Sequence, residues 1–108
     1  MTKVIRIYNF TLESENEFTK IFKDGDIGIY LSKAFDEDSN KHYVVASIPN
    51  IEEIDASDIK YPFPFDTTYE RDDFFDSFDE KNASEFMWDL VAYIKEQQQL
   101  QNEQKNDN

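Results

Sequence analysis

Cysteine is absent, histidine occurs once and glycine only twice in 108 residues. Without cysteine there is no disulfide, no thiolate nucleophile and no thiolate metal site, a usage that fits a reducing compartment. His42 alone cannot build a histidine-rich zinc centre, and no strained serine turn accompanies it to suggest a hydrolytic triad. Gly25 and Gly28 are too few for a glycine-rich phosphate loop. Also missing is any run of about 18 apolar residues. Met1-Thr2-Lys3-Val4-Ile5-Arg6 likewise holds no apolar stretch of signal-peptide length. These absences argue against membrane insertion and export, and they make the cytoplasm the expected location.

Positive charge is scarce too. Eleven Lys and Arg stand against 24 Asp and Glu, a formal net charge of −13. A surface so negative repels nucleic acid and an anionic membrane leaflet, whereas it attracts a Lys/Arg-rich groove and speeds the encounter at low salt. Asp36-Glu37-Asp38-Ser39-Asn40-Lys41 opens like a calcium loop, with Asp, Asp and Asn at the first, third and fifth places. Lys41 then stands where the turn needs glycine, and Ser47 where a bidentate Glu would close the site. Among 24 acids some pair always falls at glycosidase spacing, so paired carboxylates are uninformative. The expectation is a binding protein and not an enzyme, with no metal and no cofactor.

What is plentiful is aromatic: ten Phe, six Tyr and one Trp, which must supply most of the buried area of the single core that a chain of this length builds. Residues 4–10, rich in β-branched and aromatic side chains, predict a strand. Ser14-Glu15-Asn16-Glu17 has the form of a capping box, and Phe18, Ile21 and Phe22 follow at helical spacing before Gly25, which predicts a short helix over residues 15–23. Residues 27–35 and 42–48 predict a hairpin around the polar loop 36–41, with Pro49 ending its second strand. Residues 51–59 fit either a short helix or an irregular crossing. Tyr61-Pro62-Phe63-Pro64-Phe65 is excluded from a helix or a central strand and reads as a rigid connector whose rings tuck onto the core.

The strongest helix is predicted to start at Asn82, whose Asn-x-x-Glu box closes at Glu85, with Phe86, Met87, Leu90, Val91 and Ile94 as its core stripe. The expected fold is α+β, a single domain over residues 1–95. A small antiparallel sheet of about three strands (4–10, 27–35, 42–48) packs against the C-terminal helix, with short helices besides. Residues 96–108, polar and glutamine-rich, are expected to form a frayed or disordered tail.

The acids are clustered. From Asp36 to Glu80, 14 acids face only Lys41, Lys60 and Arg71, so this window holds −11 of the −13. Within it Tyr69-Glu70-Arg71-Asp72-Asp73-Phe74-Phe75-Asp76-Ser77-Phe78-Asp79-Glu80 has a helical logic: Phe74, Phe75 and Phe78 share one face, and Asp72, Asp76, Asp79 and Glu80 gather on another. Carboxylates three or four residues apart on a helix have Cβ atoms about 5–6 Å apart, comparable to phosphates along one nucleic-acid strand. Like charges so placed cost the isolated helix a few tenths of a kcal/mol per pair, a local sacrifice of the kind found where a surface serves binding. The candidate partner-binding residues are Glu70, Asp72, Asp73, Asp76, Asp79 and Glu80, with Asp36, Glu37 and Asp38 of the hairpin loop. The plainer alternative is an amphipathic turn whose acids are merely solvated; both readings assign the rings to the core.

In size, acidity and aromatic content the chain resembles the small phage and mobile-element inhibitors that mimic DNA: anti-restriction, anti-CRISPR and uracil-DNA glycosylase inhibitor proteins. Ala34-Phe35-Asp36-Glu37-Asp38-Ser39-Asn40-Lys41, between two expected strands, resembles an acidic hairpin of the last of these. Glu13-Ser14-Glu15 lacks the apolar third residue of that family's Glu-Ser-Ile contact segment, so no contact residue is carried over. The resemblance implies a basic nucleic-acid-binding protein as target, such as a CRISPR nuclease, a restriction enzyme or a DNA-repair enzyme, met in the host cytoplasm if the chain is phage-encoded. A different class stays open: a non-enzymatic adaptor or structural protein of phage or host, binding through aromatic residues and the C-terminal helix.

Overall fold

The computed structural model describes residues 7–105, the side chains of Glu53 and of residues 102–105 excepted. It is α+β: five antiparallel strands in a meander, followed by two helices that cover one face of the sheet. The strands are β1 (Thr11–Glu15), β2 (Thr19–Asp24), β3 (Ile27–Asp36), β4 (Lys41–Ile51) and β5 (Ala56–Phe65), hydrogen-bonded in chain order. A single 3-10 turn, Glu52–Ile54, joins β4 to β5. The helices are α1 (Thr68–Ser77) and α2 (Glu80–Lys105). Among the described residues no helix is long and apolar enough to cross a membrane.

Five strands replace the expected three, for local reasons. The strand expected over residues 4–10 begins outside the described residues, and residues 7–10 are not strand, although Tyr8 and Phe10 still enter the core. The helix expected over residues 15–23 is instead the end of β1, a turn and β2. Asn16 makes the turn, its Oδ1 accepting from the amides of Phe18 (2.8 Å) and Thr19 (2.9 Å) while its own amide donates to the Thr19 carbonyl. Beyond it the side chains alternate with a period of two, Lys20 and Phe22 inward and Ile21 outward, paired to Leu31, Ile29 and Tyr30 of β3. At the next turn Gly25 takes the left-handed conformation (φ 60°) that admits glycine without strain.

The predicted hairpin is present as β3 and β4. Asp36 closes its tip, accepting from the Asp38 amide and the Ser39 hydroxyl, with Asn40 left-handed at φ 57°. Pro49 does not end the second strand. Pairing with β3 stops at Ser47, and from there β4 has only β5 beside it, so a residue without a donor is tolerated. The Tyr61–Phe65 segment is likewise not a connector but half of β5, where Pro62 and Pro64 face Val45 and Tyr43 of β4. It is an edge strand, and that position is what allows two prolines. The opposite edge, β1, is short and irregular in register between Leu12 and Ser14, with Glu13 and Glu15 exposed. Both edges thus resist pairing with another chain.

The core lies between the sheet and the helices. Phe22, Ile29, Leu31, Val44, Ala46, Ile48 and Ile51 meet Phe75 and Phe78 from α1 and its end, and Ala83, Met87 and Val91 from α2. Phe63, Phe65, Phe74 and Phe86 close its flank as a chain of ring contacts. The core stripe of α2 is as the spacing predicts, but its start is not. Asp79, not Asn82, caps the helix: its Oδ1 accepts from the Asn82 amide (2.9 Å), and the Asn82 side chain accepts from the Asp79 amide (3.1 Å). Past Ile94 the glutamine-rich segment continues as helix to Lys105, and the Gln98 side chain donates to the Ile54 carbonyl at 2.7 Å.

Candidate functional site

The amphipathic logic of residues 69–80 survives only to Ser77. At Phe78 the backbone turns extended (φ −73°, ψ 110°) and its amide donates back to the Phe74 and Phe75 carbonyls, so Asp79 and Glu80 belong to the start of the next helix. The acids form a broken band, not one row. Its order is set by fixed contacts: Asp36 sits beside Lys41 at the hairpin tip, Lys41 pairs with Asp66, and Asp66 precedes α1. At the other end the Glu80 carboxylate accepts from the Leu12 amide of β1 at 2.8 Å. The band therefore runs from the β3–β4 tip along α1 to the edge of the sheet.

Its members divide by what they touch. Glu70 completes the cap of α1, its amide donating to Thr67 Oγ1 (3.1 Å) and its carboxylate accepting from the same hydroxyl (3.2 Å). Asp72 meets two cations, Lys33 and Arg71, each at 3.0 Å. Asp79 and Glu80 hold α2 and β1 as described, and Asp36 holds the hairpin turn. Four acids remain: the carboxylates of Glu37, Asp38, Asp73 and Asp76 are exposed, and none has a hydrogen bond or ion pair to another described residue. Asp73 and Asp76, three residues apart, share the outer side of α1.

Two cations, Lys20 and Lys33, lie beneath this band. Lys20 is 4% exposed, and its Nζ donates to the carbonyls of Phe75 (2.6 Å), Asp76 (3.2 Å) and Phe78 (3.1 Å), capping the C-terminus of α1 where the helix dipole is negative. Lys33 reaches Asp72 from below, and both ammonium groups lie over the Phe75 ring, at 5.0 and 4.8 Å from its centroid. Nothing in the linear pattern singles out Lys20. Only after β2 is recognised as a strand does its place two residues before Phe22 mark it as inward-facing.

Local partners also move the titrations. Hydrogen bonds from Lys33 and then Arg71 hold the Asp72 carboxyl below its usual range, and Lys41 does the same to Asp66 while its own pKa rises. A carboxylate held low in the folded state contributes stability that is complete above its unfolded pKa, about 3.9, and is lost as pH falls through the folded value. Asp72→Asn is therefore expected to lower the urea midpoint at pH 7 and to leave little difference from the parent chain once the pH is below the depressed value. Urea titrations of both proteins at a series of pH values check this; a difference that persists at the acid end would remove the ion pairs as its cause.

The described residues hold no group of three or more carboxylates and histidine placed to bind a metal ion. No family model matches the chain, and neither does any curated protein or solved structure.

Proposed function

We propose that this chain is a small acidic inhibitor that occupies the basic groove of a nucleic-acid-binding protein, its free carboxylates standing where phosphates would sit. The observation that carries the reading is the division of the band: Asp72 is paired with Lys33 and Arg71, and Glu70, Asp79, Glu80 and Asp36 accept from nearby amides and hydroxyls, while Asp73, Asp76, Glu37 and Asp38 face solvent uncompensated. Uncompensated carboxylates presented by elements that are themselves capped and packed are preorganised for a cationic cleft. The same arrangement repels nucleic acid itself, and the block would be steric and electrostatic, needing no cofactor.

A second reading has its own observation. Trp88, Tyr93 and Leu100 are exposed on α2, which suits an adaptor that binds by aromatic contact. Salt and competition separate the two. For a partner captured from the native host, mimicry predicts affinity that falls steeply with ionic strength and is displaced by duplex DNA or RNA. The double variant Asp73→Lys/Asp76→Lys should bind at least about 10-fold more weakly, a loss expected when two contacts of this kind turn repulsive, with its circular dichroism unchanged. A partner retained at high salt, in excess duplex and by the reversed variant would support the adaptor and remove the acids from the interface.

A further inference from the structure

Four of the large apolar side chains left exposed, Ile7, Tyr61, Trp88 and Tyr93, border two grooves that share Asp89 on the outer side of α2. The groove between α2 and the edge strand β5 has a volume of about 500 Å³ and is lined by Tyr61, Phe63, Phe86, Leu90 and Tyr93, with Asp89 the one charged residue among the described residues that line it. Its floor is firm, since Tyr61, Phe63 and Phe86 pack ring on ring at 4.8 to 5.7 Å. Tyr93 is 60% exposed, and Asp89 has no ion pair or hydrogen bond to another described residue.

The geometry points to this groove as a receptor for one arginine side chain of a protein partner. A guanidinium is planar and weakly hydrated, so it can lie on an aromatic face and still turn two N–H donors to a carboxylate. An aliphatic side chain would fill the same space but desolvate Asp89 without pairing it. A lysine ammonium is compact and strongly hydrated, and meets the carboxylate as a point charge only. An acidic segment is opposed by Asp89 and by the net charge of −13. Entry by strand addition is also disfavoured, because Pro62 and Pro64 remove two donors from the adjoining edge, which leaves side-chain recognition. The inference rests on the partner being basic, as proposed above, but it uses a surface apart from the acidic band on α1.

The test is an NMR titration of the isotope-labelled full chain with a capped Gly-Arg-Gly tripeptide and with its lysine and leucine counterparts. The arginine peptide is expected to shift the amides of Tyr61, Asp89 and Tyr93. It should bind at least about 5-fold more tightly than the other two peptides, and Tyr93→Ala and Asp89→Asn should each weaken it by a similar factor, the scale of one lost cation–π or charge-assisted contact. Asp73→Lys/Asp76→Lys should leave the titration unchanged. Shifts confined to α1, equal affinity for the lysine peptide, or indifference to Tyr93→Ala and Asp89→Asn would each overturn the assignment. Any of these outcomes leaves the inhibitor reading standing, since that reading is judged by duplex competition and the α1 variant with the groove intact.

Discussion

Replacing Lys20 by methionine is expected to lower the stability by about 3 kcal/mol, although the two side chains are similar in length and the site is buried. The cost does not come from a cavity. It comes from the carbonyls of Phe75, Asp76 and Phe78, which lose their shared donor. One buried acceptor left unpaired costs roughly 1–3 kcal/mol, and part of the total is returned because an ammonium no longer needs to be desolvated. Urea unfolding followed by circular dichroism measures the change, and an unaltered slope would show that only stability moved. Hydrogen exchange adds a local readout: the Phe78 amide, which closes the last turn of α1, should lose protection first. A variant as stable as the parent would mean that the lysine is incidental to the end of α1. The surface consequence follows from the same contact, because the capped turn also holds Asp76 in place on the band.

Phe75→Ala is expected to cost still more, about 3–5 kcal/mol for a fully buried ring, and here the loss is not only volume. Phe75 is 1% exposed and lies between Lys20 and Lys33, whose ammonium groups both approach its ring. Two like charges in one neighbourhood repel; the arrangement holds because carbonyls satisfy Lys20 on one side, Asp72 satisfies Lys33 on the other, and the ring face attracts both. Phe75→Leu separates these contributions. It keeps an apolar side chain in the core but removes the ring, and should cost about 1–2 kcal/mol beyond the volume term if the cation–π contacts matter. A loss for Phe75→Leu in urea no larger than the volume term would reduce Phe75 to an ordinary core residue.

Several elements were legible in the sequence because their signals are local. The stripe Phe86, Met87, Leu90, Val91 and Ile94 repeats at helical spacing, and α2 follows it. The hairpin of β3 and β4 shows as two alternating runs around a polar turn, and Phe74, Phe75 and Phe78 mark the buried side of α1. The misread elements are those whose local pattern suits two periods. Phe18, Ile21 and Phe22 fit a helix as well as a strand, and the choice is made by the ladder with β3 and by the Asn16 turn. The prolines at positions 49, 62 and 64 argue against strands unless a strand has an open side, and a sheet edge is not a property of any short segment.

For the candidate site the division is similar. Composition settled that acids outnumber bases by more than two to one, and the order of residues that they crowd between Asp36 and Glu80, because charge is a property of each residue wherever the chain takes it. Which carboxylates are free is a question of neighbours, and the neighbours come from distant strands: Lys33 to Asp72, Lys41 to Asp66, Leu12 to Glu80. Asp89 gains its aromatic surroundings in the same way, from Tyr61 and Phe63 more than 20 positions earlier in the chain. The sequence by itself determined the sign of the surface and the periodicity of the helices that carry it. Only the packing of those helices on a five-stranded sheet decided which charges are compensated and which face solvent, since that depends on distances through space that no local pattern encodes.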